Sequence, residues 1–169
     1  MRLTEAEADM IVKQFLKRGC DHVTPRALPI VATHPETGEQ LEDEVPRALV
    51  YDGSTVVLDF CLEASGTHDW GYLYGKVAGV PFPKKWWDAY YRDIHLNRGF
   101  KAIARIRYAG LAYVPPTCWI SNAMWKRNRQ KNLSKEEIMR QWVLPDAEHW
   151  MFPNGSWMLK DAVYMGVIA

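Results

Sequence analysis

Cysteine is scarce in this 169-residue chain: Cys20, Cys61 and Cys118 are odd in number and show no C-x-x-C spacing. That disfavours a disulfide framework, and with Cys20 and His22 as the one close Cys/His pair it disfavours a cysteine zinc site too. The three thiols read as small buried or half-buried side chains. Long apolar runs are also lacking. The longest fall well short of the roughly 20 residues that span a bilayer, so no transmembrane segment is expected. The first residues, Met1-Arg2-Leu3-Thr4-Glu5-Ala6-Glu7, carry no apolar run. The expectation is a protein without a secretory signal, placed in the cytoplasm of the producing cell or associated with a virion. Repeats, low-complexity tracts and linkers are absent from the sequence, which favours one domain over residues 1–169.

What remains is an ordinary globular composition, 48% apolar and 24% charged, with eight tryptophans. Its charge is uneven. Residues 84–131 carry eleven Lys or Arg against Asp88 and Asp93, whereas residues 1–83 carry seven basic and thirteen acidic residues. The basic block holds aromatics as well, among them Trp86, Trp87, Tyr90, Tyr91, Trp119 and Trp125. Such a mixture suits an anionic phospholipid surface, where rings sit at the headgroups, and it suits nucleic acid through phosphate contacts and stacking. Lys84, Lys85, Trp86, Trp87, Lys126, Arg127, Arg129 and Lys131 are the candidate interface residues. A solvated basic face over an aromatic core would have the same composition.

The most informative stretch is Thr67-His68-Asp69-Trp70-Gly71-Tyr72, with Asp88 following in Trp86-Trp87-Asp88-Ala89-Tyr90-Tyr91. A histidine, a carboxylate beside it and a second carboxylate from a following helix are the parts of a water-activating site. On a helix Tyr72 shares a face with His68, while Asp69 is turned about 100° away and is expected to point to a different partner. Asp88 would come from a second, antiparallel helix, with Gly75, Gly79, Pro81 and Pro83 supplying the turn. An imidazole held in one tautomer by such a carboxylate accepts a proton from water near neutral pH. The plain alternative is a helix start at Thr67 with Asp69 complementing the helix dipole.

His68-Asp69-Trp70-Gly71-Tyr72 with Asp88 resembles the His-Asp-x-x-Tyr signature and partner aspartate of the phospholipase A2 superfamily, especially its bacterial and parvoviral branches. It is also similar to small phage and prophage proteins of unknown function, in which an HDW-x-Y helix precedes an Asp-x-x-aromatic step and an arginine- and tyrosine-containing helix ending in glycine. Asp88-Ala89-Tyr90-Tyr91 and Ile103-Ala104-Arg105-Ile106-Arg107-Tyr108-Ala109-Gly110 follow that outline, and the similarity covers about residues 57–114. The resemblance implies His68 as general base, Asp88 as its orienting carboxylate and Tyr72 as the hydrogen-bond donor to Asp88. It implies Asp69 as a calcium ligand, with calcium polarising an ester carbonyl. The superfamily's glycine-rich calcium loop is not evident upstream, where Asp52-Gly53-Ser54 and Gly66 are the nearest substitutes.

The fold class expected is α+β: an antiparallel helix pair carrying the His-Asp motif, with N-terminal and C-terminal β-hairpins. Thr4 and Glu7 spell a capping box for a helix at about 4–18, ending at Gly19. Leu28 to Ala32 reads as a strand, and Leu49-Val50-Tyr51 and Val56-Val57-Leu58 flank Asp52-Gly53 as a hairpin. Helices follow at about 62–76, 84–97, 100–113, 118–130 and 134–143, the last opened by Ser134 and Glu137. Trp150-Met151-Phe152 and Ser156-Trp157-Met158-Leu159 flank Pro153-Asn154-Gly155 as a closing hairpin. The chain thus divides into a helix with hairpins (1–60), the His-Asp pair and next helix (61–114), and helices with a hairpin (115–169).

Three functional classes stay open at this level. The first is a hydrolase of lipid esters. A second enzyme reading gathers His68, Asp69, Asp88, Asp93 and His95 around a metal for phosphodiester hydrolysis, although Asp88 and Asp93 lie roughly 140° apart on a helix; His95 alone reads as a partly exposed helix residue. The third is a non-catalytic protein that binds a host or virion protein, with His68, Asp88 and Tyr72 kept as packing. His22, His34 and His149 show no partner in sequence.

Overall fold

Two capping boxes set helix starts. In the computed structural model, which describes residues 2–52 and 61–166, Thr4 and Glu7 close one box at the head of α1 (Glu5–Lys17). Ser134 and Glu137 close another at α6 (Lys135–Trp142). Each box satisfies two of the backbone N–H groups that a helix start leaves without partners.

Between them lie β1 (His22–Val23), β2 (Leu28–Thr33), β3 (Gln40–Val45), β4 (Val50–Tyr51), α2 (Leu62–Leu73), β5 (Lys76–Val77), β6 (Val80–Pro81), α3 (Lys84–Asn97), α4 (Lys101–Ala112) and α5 (Thr117–Lys131). The chain closes with β7 (Trp150–Met151), β8 (Val163–Tyr164) and single 3-10 turns at Ala147–His149, Pro153–Gly155 and Leu159–Asp161. The fold is mixed α+β. Among the described residues, six α-helices accompany four two-stranded antiparallel sheets. No described helix is long and apolar enough to cross a membrane.

The β2–β3 hairpin pairs Leu28 with Val45 through Thr33 with Gln40. Leu28, Ile30 and Ala32 alternate into the core, as a half-buried strand requires. Its partner is a strand that sequence reading missed, because Gln-Leu-Glu-Asp-Glu-Val shows an outer face of acids and little apolar patterning. The hairpin expected at Asp52-Gly53 lies partly outside the described residues; its described arm, β4, pairs with β1.

The closing hairpin needs correction. Trp150 and Met151 pair with Val163 and Tyr164, not with Ser156 to Leu159. Trp157 to Leu159 runs beside β1, where the Trp157 carbonyl accepts from Val23 N–H and Leu159 N–H donates to the Asp21 carbonyl. An exposed backbone edge at residues 21–23 took this segment, and a hairpin motif read within one window does not contain that competitor.

Helix α2 is central, with Ala64 to Thr67 and Trp70 to Tyr72 all buried, and it packs on both α3 and α5. His68 meets Tyr91 and Tyr72 meets Lys84, so the contacts run in opposite chain directions and α2 and α3 are antiparallel. Gly71 sets their separation. A Cβ there would lie 2.2 Å from Cε3 of Trp87, a ring with no exposed surface. Gly71→Ala is therefore expected to cost about 1–3 kcal/mol by overpacking. Urea unfolding of the variant checks this, and a midpoint equal to wild type would show the seam to be looser than described.

Candidate functional site around His68

Helix periodicity places His68 and Tyr72 on the side of α2 that faces α3, and Lys84, Asp88 and Tyr91 on the matching side of α3. The Tyr72 hydroxyl donates to Asp88 Oδ1 at 2.9 Å. Lys84 Nζ donates to Asp88 Oδ2 at 2.6 Å and to the Leu111 carbonyl at 3.1 Å. His68 Nε2 lies 3.4 Å from Asp88 Oδ1, and Nδ1 lies 3.5 Å from Asp69 Oδ1. The imidazole is flanked by the rings of Tyr72 and Tyr91, with centroids 4.2 and 4.8 Å away. Arg107 in turn donates to the Tyr91 hydroxyl.

Electrostatics follow from this packing. Burial opposes a charged His68, but the carboxylates of Asp69 and Asp88 outweigh it and hold the imidazole above its ordinary value of 6.5. Burial would likewise raise Asp88; hydrogen bonds and charge from His68 and Lys84 outweigh that and keep it below the usual carboxylate range. Tyr72, buried beside Asp88, is pushed well above 10 and stays a phenol donor.

A cleft of ≈ 380 Å³ opens next to this cluster, lined by Asp52, Asp69, Tyr72, Arg127, Asn128 and Lys131 among others. Within it Asp52, itself exposed to solvent, faces Asp69, and partial desolvation together with the neighbouring carboxylate raises its carboxyl above the usual range. The side chain of His68 is only 12% exposed, so Asp69 is the group that connects the imidazole edge to the cleft. Asp69 was expected to point toward a different partner than the imidazole; it faces Asp52 and the cleft, and its carboxylate also lies 3.5 Å from His68 Nδ1. Calcium would need six to eight oxygen ligands. Among the described residues no group of three or more His, Cys, Asp or Glu is placed to hold a metal. Asp52 and Asp69 do not complete such a shell, and the roles below rest on the side chains alone.

The other expected positions scatter. Lys84 turns inward as the counter-ion of Asp88, a role that its i,i+4 spacing to Asp88 could have disclosed. Lys85, Lys126, Arg127 and Lys131 are exposed, Trp86 is half-buried and stacked on Tyr90, and Trp87 is fully buried. Trp87 is thus no interface residue. Neither does Arg129 face outward: its guanidinium donates to the carbonyls of Tyr72, Leu73 and Tyr74, capping the end of α2. His95, expected at a helix surface, is fully buried with Nδ1 3.0 Å from the Tyr91 carbonyl, while Asp93 pairs with Arg92 on the outside. His22 finds Asp21 at 2.6 Å, and His34 Nδ1 accepts from Glu36 and Thr37. Asp52 and Tyr91 were absent from the sequence-derived site because neither has a recognisable spacing to His68.

Arg129→Met is expected to cost about 1–3 kcal/mol by stranding α2's terminal carbonyls, whereas Lys126→Met stays within about 0.5 kcal/mol; equal midpoints in urea would remove the capping role. A raised folded pKa for His68 means that its contribution to stability is full below about pH 6.5 and is lost as pH rises through the folded value. His68→Gln should flatten that slope in denaturant midpoints measured upward from about pH 6, and parallel profiles for the two proteins would contradict it.

Compared with known proteins, the chain matches no family model, no curated protein and no solved structure.

Proposed function

We propose that this protein hydrolyses ester bonds of lipids, with His68 activating water. One observation carries the reading: Tyr72, Asp88, His68 and Asp69 follow one another along the α2–α3 seam at 2.9, 3.4 and 3.5 Å, and both ends of the series, Tyr72 and Asp69, line the cleft. Asp88 holds the imidazole through Nε2, and Tyr72 and Lys84 keep Asp88 ionised. Nδ1 is then the nitrogen that takes a proton from water held at Asp69. The hydroxide formed adds to the ester carbonyl, and the imidazolium returns its proton to the departing alkoxide. Arg127 and Lys131 on the cleft wall favour a substrate with an anionic headgroup.

A second reading, a non-catalytic phage-type protein that binds a host or virion protein or nucleic acid, is favoured by Lys84. Its ammonium satisfies Asp88 and leaves Lys84, His68, Asp69 and Asp88 balanced in charge, as a purely structural cluster would be.

Fatty-acid release from phosphatidylglycerol vesicles, measured with and without calcium, separates the two. Wild type should release fatty acid at a rate that rises with pH through the raised His68 value, and His68→Ala should lower it by about 10²–10⁴-fold. Absence of release at saturating vesicle would leave the binding protein, and full activity in His68→Ala would remove His68 as the base.

A further inference from the structure

Helix α5 is inverted. Its inward positions are Cys118, Ser121, Trp125, Asn128 and Arg129: Trp125 packs on Tyr72, Ser121 Oγ donates to the Leu111 carbonyl, and Asn128 and Arg129 donate to carbonyls at the end of α2. The outward face nevertheless carries three large apolar groups, with Trp119 65%, Ile120 58% and Met124 48% exposed. The corner joining α4 to α5 continues this surface with Tyr113 at 65% and Val114 at 51%. Clustered exposed aromatics and branched aliphatics of this kind mark a surface that another phase or molecule covers.

Charge narrows what that can be. No Asp or Glu occurs from Ile94 to Lys135, and the exposed cations of the two helices, Lys101 and Arg105 on α4 and Lys126, Arg127 and Lys131 on α5, all lie back from the corner. At 1.5 Å per residue, Lys126 stands about 10 Å along the helix from Trp119, and Arg105 about 10 Å from the end of α4. An apolar tip backed by cations at that distance matches the layering of a lipid leaflet, in which apolar groups enter about 5–10 Å and cations meet the phosphates above them. A second copy of this chain would bring two acid-free faces together and repel.

We infer that the α4–α5 corner is a docking surface for anionic lipid membranes, with Tyr113, Val114, Trp119 and Ile120 entering the interface and Lys101, Arg105 and Lys126 contacting headgroup phosphates. It replaces Trp86 and Trp87 as the aromatic part of the interface. The inference stands on this corner and not on the chemistry at His68, so binding is measured on His68→Ala as well as on wild type.

The test is flotation with vesicles of phosphatidylglycerol and phosphatidylcholine in equal parts, against phosphatidylcholine alone. Wild type and His68→Ala should both float with the mixed vesicles, far less with the neutral ones, and less as salt rises. Trp119→Ser combined with Ile120→Ser should weaken binding about tenfold or more. Lys101→Gln, Arg105→Gln and Lys126→Gln together should weaken it and flatten its salt dependence. The substituted side chains are exposed, and unchanged thermal unfolding confirms that each variant is folded. Failure of wild type to bind the mixed vesicles at low salt overturns the inference and points to a protein partner. Binding by the Trp119/Ile120 variant equal to wild type overturns it too, in favour of simple polyanion attraction. A wild type that self-associates with rising concentration and releases vesicles would assign the corner to a second copy.

Discussion

A single buried carboxylate, Asp88, constrains the arrangement of the helices around it. An ionised carboxylate is far too costly to bury alone, and Asp88 is 2% exposed. It is tolerated because two donors and an imidazole converge on it: Tyr72 and Lys84 donate hydrogen bonds, and His68 Nε2 from α2 lies 3.4 Å away as an ion-pair partner. Two of these come from across the seam, so the register of α2 against α3 cannot slip by a turn without stranding the charge. Gly71 makes the approach close enough, and the indole of Trp87 fills the space that its missing side chain leaves. The same lysine extends to the Leu111 carbonyl, where Ser121 also donates. One backbone oxygen at the end of α4 thereby ties α3 and α5 to the carboxylate.

The electrostatic balance of this cluster explains why its members cannot be judged one at a time. Lys84 and a protonated His68 match Asp88 and Asp69, and each charge is stabilised by the others rather than by water. Losing a proton from His68 leaves two carboxylates against one ammonium, which is why the imidazole holds its proton above the ordinary value. Asp52 lies on the far side of Asp69 and responds in the same sense, its carboxyl raised above the usual range. Proton occupancy along the cleft wall is therefore set by the neighbouring charges, a property needed for water activation and compatible with a structural cluster.

Helix α5 shows what the central helix demands of its neighbours. The carbonyls at the end of α2 are satisfied by Asn128 and Arg129, so the inward stripe of α5 is polar at that end. Trp125 packs inward against Tyr72, while Trp119, Ile120 and Met124 turn outward. The exposed corner at Tyr113 to Ile120 is thus a consequence of how the interior is satisfied as well as a surface with a use of its own.

Much of this architecture is legible in the sequence because its causes are local. Capping boxes at Thr4 and Ser134, the i,i+4 step from His68 to Tyr72 and the helix lengths all depend on groups within a few residues of one another, and helix hydrogen bonds span only four. The meeting of His68, Asp88 and Tyr72 was readable for the same reason: two consecutive helices joined only by the small β5–β6 hairpin have few ways to pack. The acidic strand β3, the true partner of Trp150–Met151 and the inward roles of Lys84, Trp87 and Arg129 were not readable. Long amphipathic side chains can face water or protein, and a partner far along the chain decides which; Arg129 and the Tyr72 carbonyl are 57 residues apart. The sequence by itself determined where helices begin and which residues share a face. Tertiary structure alone decided which charges are buried and which apolar groups remain in solvent, because burial is a property of the whole packing and not of any one segment.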